Sequence, residues 1–453
     1  MRNYGGLVHA VGAFARDRRG NFAVLFGFAA SVLALVAGFS VNVTQLYNAK
    51  SSLQGVVDAA VTSTARDLTT GAIKEVDANK SVQTFLDANS SAGILQPGQI
   101  VLDNLIVDRI ANTVQVDAHV DVALFFPIFG METSKRVTAS TTSLYSDKTI
   151  EVAMMLDVTG SMAGQKIKDL KAAAANAVDS FLGGQDPSKP RVRVSIVPYA
   201  NSVNAGQLAA GSVYVEANAS ERKQAPGNAS PRLVSVSPRP DNCATERKGT
   251  DQYSDVGPAS SMVNRDYLLS GFAGNTGTAA CPAATLVPLT ADVASLKNVI
   301  KDLVASGGTA GHIGVQWTWY MLSESWGSVM NASQRPAKMD PKKVGKYAIL
   351  MTDGEFNLSY FDATTVNQVY NDAGKEPTRT AATKLCAAMR GKGIEIFTIG
   401  FKLDEANAVT TLQSCASPDT GSVKHFYQAA DGTELDAAFQ TIARNIETLA
   451  LTK

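Results

Sequence analysis

Residues 150–162 read IEVAMMLDVTGSM. Ile150 to Leu156 form an apolar run interrupted only by Glu151, and the run stops at Asp157. A short apolar run closed by a turn suits a strand buried on both faces, as in a parallel sheet. Beyond it, oxygen-bearing side chains stand at alternate positions, Asp157, Thr159 and Ser161, so a turn there can aim them at one point.

Working outward, Ile167, Leu170, Ala174, Val178 and Phe181 recur at i+3 and i+4 steps, and Gly183-Gly184 stop that helix. Strands are predicted at Val192–Val197, Tyr347–Met351, Ile394–Ile399 and His425–Gln428. Helices are predicted at Leu296–Val304, Ala381–Met389 and Glu434–Leu449. This alternation predicts an α/β fold over residues 148–453, a doubly wound, mostly parallel sheet with helices on both faces. Such sheets bind ligands at the carboxyl ends of their strands. Asn204–Leu286 breaks the rhythm with Pro226, Pro231, Pro238, Pro240 and Pro258. It reads as a long insertion, at about 204–286, on the rim of the sheet. A smaller insertion lies between Asn357 and Pro377.

Two later pieces complete a constellation: Gly307-Gly308-Thr309 in a loop, and Thr352-Asp353-Gly354 after the apolar Leu350-Met351. A parallel sheet would bring all three to one edge. Each alone is an ordinary cap or turn; the reading rests on their order and strand-end placement. The candidate metal ligands are Asp157, Thr159, Ser161, Thr309 and Asp353. Carboxylates and hydroxyls without nitrogen or sulfur select Mg²⁺, Mn²⁺ or Ca²⁺ over zinc or copper. The histidines are scattered, no H-E-x-x-H occurs, and His312 reads as a helix-surface residue.

Upstream, no charged residue lies between Gly20 and Ala49, and Phe22–Val41 reads FAVLFGFAASVLALVAGFSV. Twenty residues at about 1.5 Å each match the roughly 30 Å hydrocarbon layer. Residues 22–43 are therefore read as a transmembrane helix. Arg2, Arg16, Arg18 and Arg19 outnumber Asp17, so the positive-inside rule places residues 1–21 in the cytoplasm and the remainder outside it. A cleaved signal peptide is the competing reading; its apolar core is usually shorter. Residues 44–147 read as an extended helix followed by a small strand-rich unit. Leu46, Leu53, Val57, Ala60 and Thr64 form an inward stripe, with Gln45, Lys50 and Arg66 on other faces. Val114 to Leu124 alternates apolar and polar, a half-buried antiparallel strand flanked by Gln99–Val107 and Arg136–Leu144. His119 falls on the polar face and reads as solvated.

The chain has 453 residues, with 41 basic and 41 acidic side chains, which argues against a nucleic-acid surface. Cys243, Cys281, Cys386 and Cys415 all follow the apolar segment, and none forms a C-x-x-C pair. Outside the cytoplasm they can form two disulfides; three pairings exist, and Cys243–Cys281 with Cys386–Cys415 closes local loops.

The Asp-x-Thr-x-Ser, Gly-Gly-Thr and Thr-Asp-Gly pieces resemble the metal-ion-dependent adhesion site (MIDAS) of von Willebrand factor A (VWFA) domains, over roughly Thr149 to Leu451. That resemblance implies direct metal contact by Thr159 and Ser161. It implies contact by Thr309 directly or through water, and a largely water-mediated role for Asp157 and Asp353. The open coordination position would take a carboxylate from a protein partner. The commoner motif has Ser where Thr159 stands; the hydroxyl is kept. The Gly307–Leu322 segment (GGTAGHIGVQWTWYML), Leu350–Glu355, the Cys386…Cys415 pair and the C-terminal helix are similar to TadG-like proteins of tight-adherence (Flp) pilus assembly. So are Arg18–Phe22, Leu53-Gln54 and Asp58-Ala59-Ala60. The resemblance implies a single-pass bacterial inner-membrane protein with a periplasmic bulk and pilus or secretion-machinery partners. Pilin-type cutting after Gly20 would place Leu25 where pilins carry Glu, so no processing is expected. Alternatives are a membrane-anchored adhesin outside pilus assembly and a metal-dependent phosphohydrolase. No P-loop or G-x-S-x-G supports an enzyme.

Overall fold

The computed structural model describes residues 19–89, 99–108, 111–127, 133–146, 148–185, 190–215, 241–265, 281–360, 372–421 and 423–452. The arginines at 2, 16 and 18 and much of both insertions lie outside these. The chain divides into two units, residues 1–66 with 74–145, and residues 67–73 with 146–453.

The first unit is built on helix α1 (Arg19–Thr70), a short helix α2 (Ala78–Asn89) and strands β1 (Val101–Asp108), β2 (Thr113–Ala123) and β3 (Ser134–Leu144). The strands form an antiparallel sheet in the order β1-β2-β3. Among the described residues α1 carries the one stretch long and apolar enough to cross a membrane. Val24, Leu25, Phe26, Phe28, Leu33 and Phe39 on it are exposed, which in water would be an unfavourable apolar surface. Further along α1, Leu53, Val57, Ala60 and Thr64 are buried as expected. Gln45 is not on an outer face; it is buried and holds the β2–β3 turn, because its amide can donate and accept at once. His119 is also buried: the neighbouring strand β1 brings Asp103 within 2.6 Å of its Nδ1 and covers the ring.

The second unit holds a six-stranded sheet. Its strands are β4 (Thr149–Asp157), β5 (Val192–Tyr199), β10 (Val287–Thr290), β11 (Val344–Thr352), β12 (Glu395–Phe401) and β13 (Phe426–Ala429). The order is β10-β5-β4-β11-β12-β13, with only the edge strand β10 antiparallel. Counted along the chain this is 3-2-1-4-5-6, the doubly wound order, with its switch point between β4 and β11. Ile150, Val152, Met154 and Leu156 of β4 face helices α3 (Gln165–Leu182), α4 (Val293–Lys301) and α8 (Gly432–Thr452). Ala153 and Met155 face α5 (Gly311–Tyr320) and α6 (Asp372–Gly391). Alternate residues thus serve opposite layers, which is why the run is apolar on both faces apart from Glu151. Helix α7 (Ala406–Cys415), not anticipated from sequence, is tied to α6 by the Cys386–Cys415 disulfide.

In the large insertion, β6 (Val203–Asn204) pairs with β8 (Cys243–Ala244), β7 (Val213–Val215) pairs with β9 (Val263–Arg265), and Cys243 is bonded to Cys281. Val203, Ala244 and Val263 of its described part pack into the same core cluster as α5. Arg247 is fully buried, 5.0 Å from the Tyr320 ring and 5.6 Å from that of Trp326. A guanidinium desolvated against aromatic faces draws on cation–π attraction.

Candidate functional site

Each of the three loops is fixed by backbone bonds to its neighbours. Gly160 N–H donates to Gly307 O at 2.9 Å, and Ser306 N–H donates to Val158 O at 2.8 Å. These stitch the Asp157 loop to the Gly307 loop. Gly308 N–H donates to the Asn201 side chain at 2.7 Å, and Thr309 N–H to that of Asn357 at 3.0 Å. Thr309 then feeds directly into α5, which is buried on every side. Gly311 and Gly314 permit this: a Cβ on Gly311 would overlap the Phe356 ring, and one on Gly314 would come within 2.8 Å of the Tyr199 ring.

Asp157, at the end of β4, is fully buried. Its Oδ1 accepts from Thr159 N–H at 2.9 Å. Its Oδ2 accepts from Tyr199 OH at 2.8 Å and Thr352 Oγ1–H at 2.7 Å, with Asp353 N–H at 3.4 Å. The carboxyl therefore ties together the ends of β4, β5 and β11. Burial, and then the charge of Asp353, push its pKa above the ordinary carboxylate value. Burial and the Asp157 charge raise Tyr199 well above the ordinary phenol value.

In front of it runs a chain of oxygens. Thr159 Oγ1 and Ser161 Oγ are 2.9 Å apart, and Ser161 Oγ–H donates to Asp353 Oδ1 at 2.6 Å. Lys166 Nζ–H donates to Asp353 Oδ2 at 2.7 Å. Ser161, Lys166, Thr309 and Asp353 line a cavity of about 380 Å³, with Glu355, Asp404 and Glu405 at its walls. So Ser161, Thr309 and Asp353 reach the cavity, Thr159 touches Ser161, and Asp157 lies beneath them. The set offers hydroxyl and carboxylate oxygens, and two carboxyl groups are forced together. That donor chemistry fits a hard divalent cation.

Sequence reading missed Lys166, Tyr199, Asn201 and Asn357. A pattern search for acids and hydroxyls passes over a lysine and over side chains that only brace loops. Tyr199 stands opposite Asp157 in the β4–β5 register, a signal visible only once strands are paired. His312 is a correction. It is buried, with Nε2 2.6 Å from Glu246 Oε2 and Nδ1 2.6 Å from Thr378 Oγ1, because α5 has no solvent face. Glu246 comes from the insertion and also accepts from Tyr360 N–H at 3.1 Å. Another cluster, Asp241 with Cys243 and Cys281, is consumed by the disulfide and by the Arg265–Asp241 ion pair at 2.6 Å.

Residues 20–67 match the family model described as "Putative Flp pilus-assembly TadE/G-like". The N-terminal region is TadE/G-like. Comparison with curated proteins returns no match. Among solved structures, the chain is similar to the vWF domain of the type V pili tip protein Mfa5 from Porphyromonas gingivalis. Identity there is 15%, coverage is 67% of this chain and 96% of that one, and the TM-score is 0.37. The pilus adhesin SpaC from Lactobacillus rhamnosus GG gives 12% identity, 77% and 34% coverage and a TM-score of 0.36. Proximal thread matrix protein 1 from the mussel byssus, with a zinc-occupied MIDAS motif, gives 13%, 67% and 46%, and 0.30. Scores this low leave function to be argued from the chain's own geometry.

Proposed function

We propose that this chain is a membrane-anchored, non-enzymatic component of Flp pilus assembly whose second unit binds a divalent cation, Mg²⁺ foremost. Through that ion it would engage a carboxylate on a protein partner. The reading is supported above all by the Thr159–Ser161–Asp353 chain of oxygens meeting at the switch point of the sheet, in front of a cavity. Thr159 and Ser161 would hold the ion by their hydroxyls, Thr309 would add a third hydroxyl, and Asp157 and Asp353 would supply charge largely through water. The ion would supply Lewis acidity and an open coordination position; the residues supply its placement. Residues 22–43 would hold the chain in the inner membrane, with the second unit outside the cytoplasm.

The test is calorimetric titration of the full chain in nanodiscs with MgCl₂, wild type against Asp353→Asn and Ser161→Ala. Binding heat is expected for the wild type and not for Asp353→Asn, with circular dichroism confirming that both remain folded. Equal heats in all three would remove the ion from this reading. Capture of pilus components by the full chain should likewise be lost in EDTA and restored by Mg²⁺.

A further inference from the structure

We infer that the described start of the β2–β3 turn, residues 124–127 and called the tip below, enters the lipid interface beside α1 as a second, shallow membrane contact. This rests on the reading that α1 spans the bilayer. These four residues, Leu124-Phe125-Phe126-Pro127, carry no charge. Phe125 is 71% exposed and Phe126 52%. Their height along α1 is fixed by packing: a Cβ on Gly38 would lie 3.3 Å from Phe126 Cβ and 3.4 Å from its ring. Gly38 precedes the end of the apolar span at Val41 by three residues, about 4.5 Å of helix rise. The tip is therefore level with the last turn of the span. Leu35, Val36 and Phe39 on that turn are exposed too, so the two phenylalanines widen one apolar band.

The polar groups of the tip point to the same medium. Asn42 donates Nδ2–H to Phe126 O at 2.7 Å and accepts from Phe126 N–H at 3.1 Å. Gln45 donates Nε2–H to Ala123 O at 2.7 Å and accepts from Phe125 N–H at 3.2 Å. Two side-chain amides thus satisfy four backbone groups of a turn whose side chains are exposed. Water would satisfy such groups unaided; lipid cannot, and demands that they be paired within the protein. Exposed Lys135, opposite Val122 in the hairpin register, sits just behind the tip, where a cation meets lipid phosphates.

The experiment uses the full chain in phosphatidylcholine–phosphatidylglycerol vesicles. The four native cysteines are bonded to one another, so one added thiol takes an environment-sensitive fluorophore. Labels go on Phe125→Cys, on Val32→Cys in mid-span, and on Val76→Cys, which is 85% exposed. Phe125→Cys removes only an exposed ring. The expected result is quenching at 125 several-fold stronger by lipid spin-labelled near the headgroup than by aqueous iodide. Position 32 should respond to deep lipid labels, and position 76 to iodide alone. If 32 responds to lipid but 125 behaves like 76, the inference is overturned and the span stands. If 125 is shielded from both quenchers, a protein neighbour covers the tip and the inference is overturned. If 32 itself escapes lipid quenching, the span reading fails and takes the inference with it.

Discussion

The same three strands of the second unit carry buried charge at both ends, and the two ends treat it oppositely. At their amino ends, Glu151 of β4 stands in register between Arg193 of β5 and Lys346 of β11. Arg193 hydrogen-bonds Glu151 Oε1, and Lys346 Nζ lies 3.2 Å from Oε2. Burial lowers the Lys346 pKa while Glu151 opposes that shift. One acid is enclosed by two cations. At the carboxyl ends, the charge of Asp353 acts on buried Asp157, and the ammonium of Lys166 reaches Asp353 alone of the two. Here Asp353, Glu355, Asp404 and Glu405 line the cavity with hydroxyls, against Lys166 and Lys402. Buried charge balanced within the protein is structural, whereas an excess of one sign beside open space invites an ion of the other.

Three perturbations test this contrast. The largest concerns the closed end. Glu151→Gln leaves two cations unpaired in the interior, and a loss of about 3–5 kcal/mol of stability is expected. Denaturant unfolding should register it, while the Mg²⁺ titration heat stays unchanged. Next is the ion itself. Saturating Mg²⁺, at roughly a hundred times its dissociation constant, should add about 2.7 kcal/mol to the second unit. Thermal melts with and without EDTA should separate in the wild type and coincide in Asp353→Asn. The smallest effect belongs to Lys166. Lys166→Met removes a cation that competes for Asp353, and Mg²⁺ should bind roughly tenfold tighter, about 1.4 kcal/mol of relieved repulsion. A weaker titration would instead make Lys166 part of the cradle.

The sequence made the central strands legible because burial on both faces leaves a nearly continuous apolar signature, as at Ile150–Leu156 with its single Glu151. The edge strand Val287–Thr290 escaped because four residues containing Pro288 carry no such pattern. Helix α4 is expected from sequence at Leu296–Val304 but runs Val293–Lys301, started by Asp292 capping Ser295 N–H at 3.1 Å. The five oxygen-bearing residues could be picked out because their types and order are local. Who braces them could not, since Tyr199, Asn201 and Asn357 act through long-range pairing. His312 and His119 were misplaced for one physical reason: periodicity reports the face of an element, not what another element lays over it.

Helix α5 follows Thr309 almost at once, and Gly311 and Gly314 let it lie against Phe356 and Tyr199 without clearance. Close-packed interiors yield little under load. A partner tugging on an ion held at Thr309 would thus pull on a wedge seated in the sheet, not on a slack tether. Tension entering there would spread through Trp317, Trp326 and the strands beneath them, as strain does through a keyed joint.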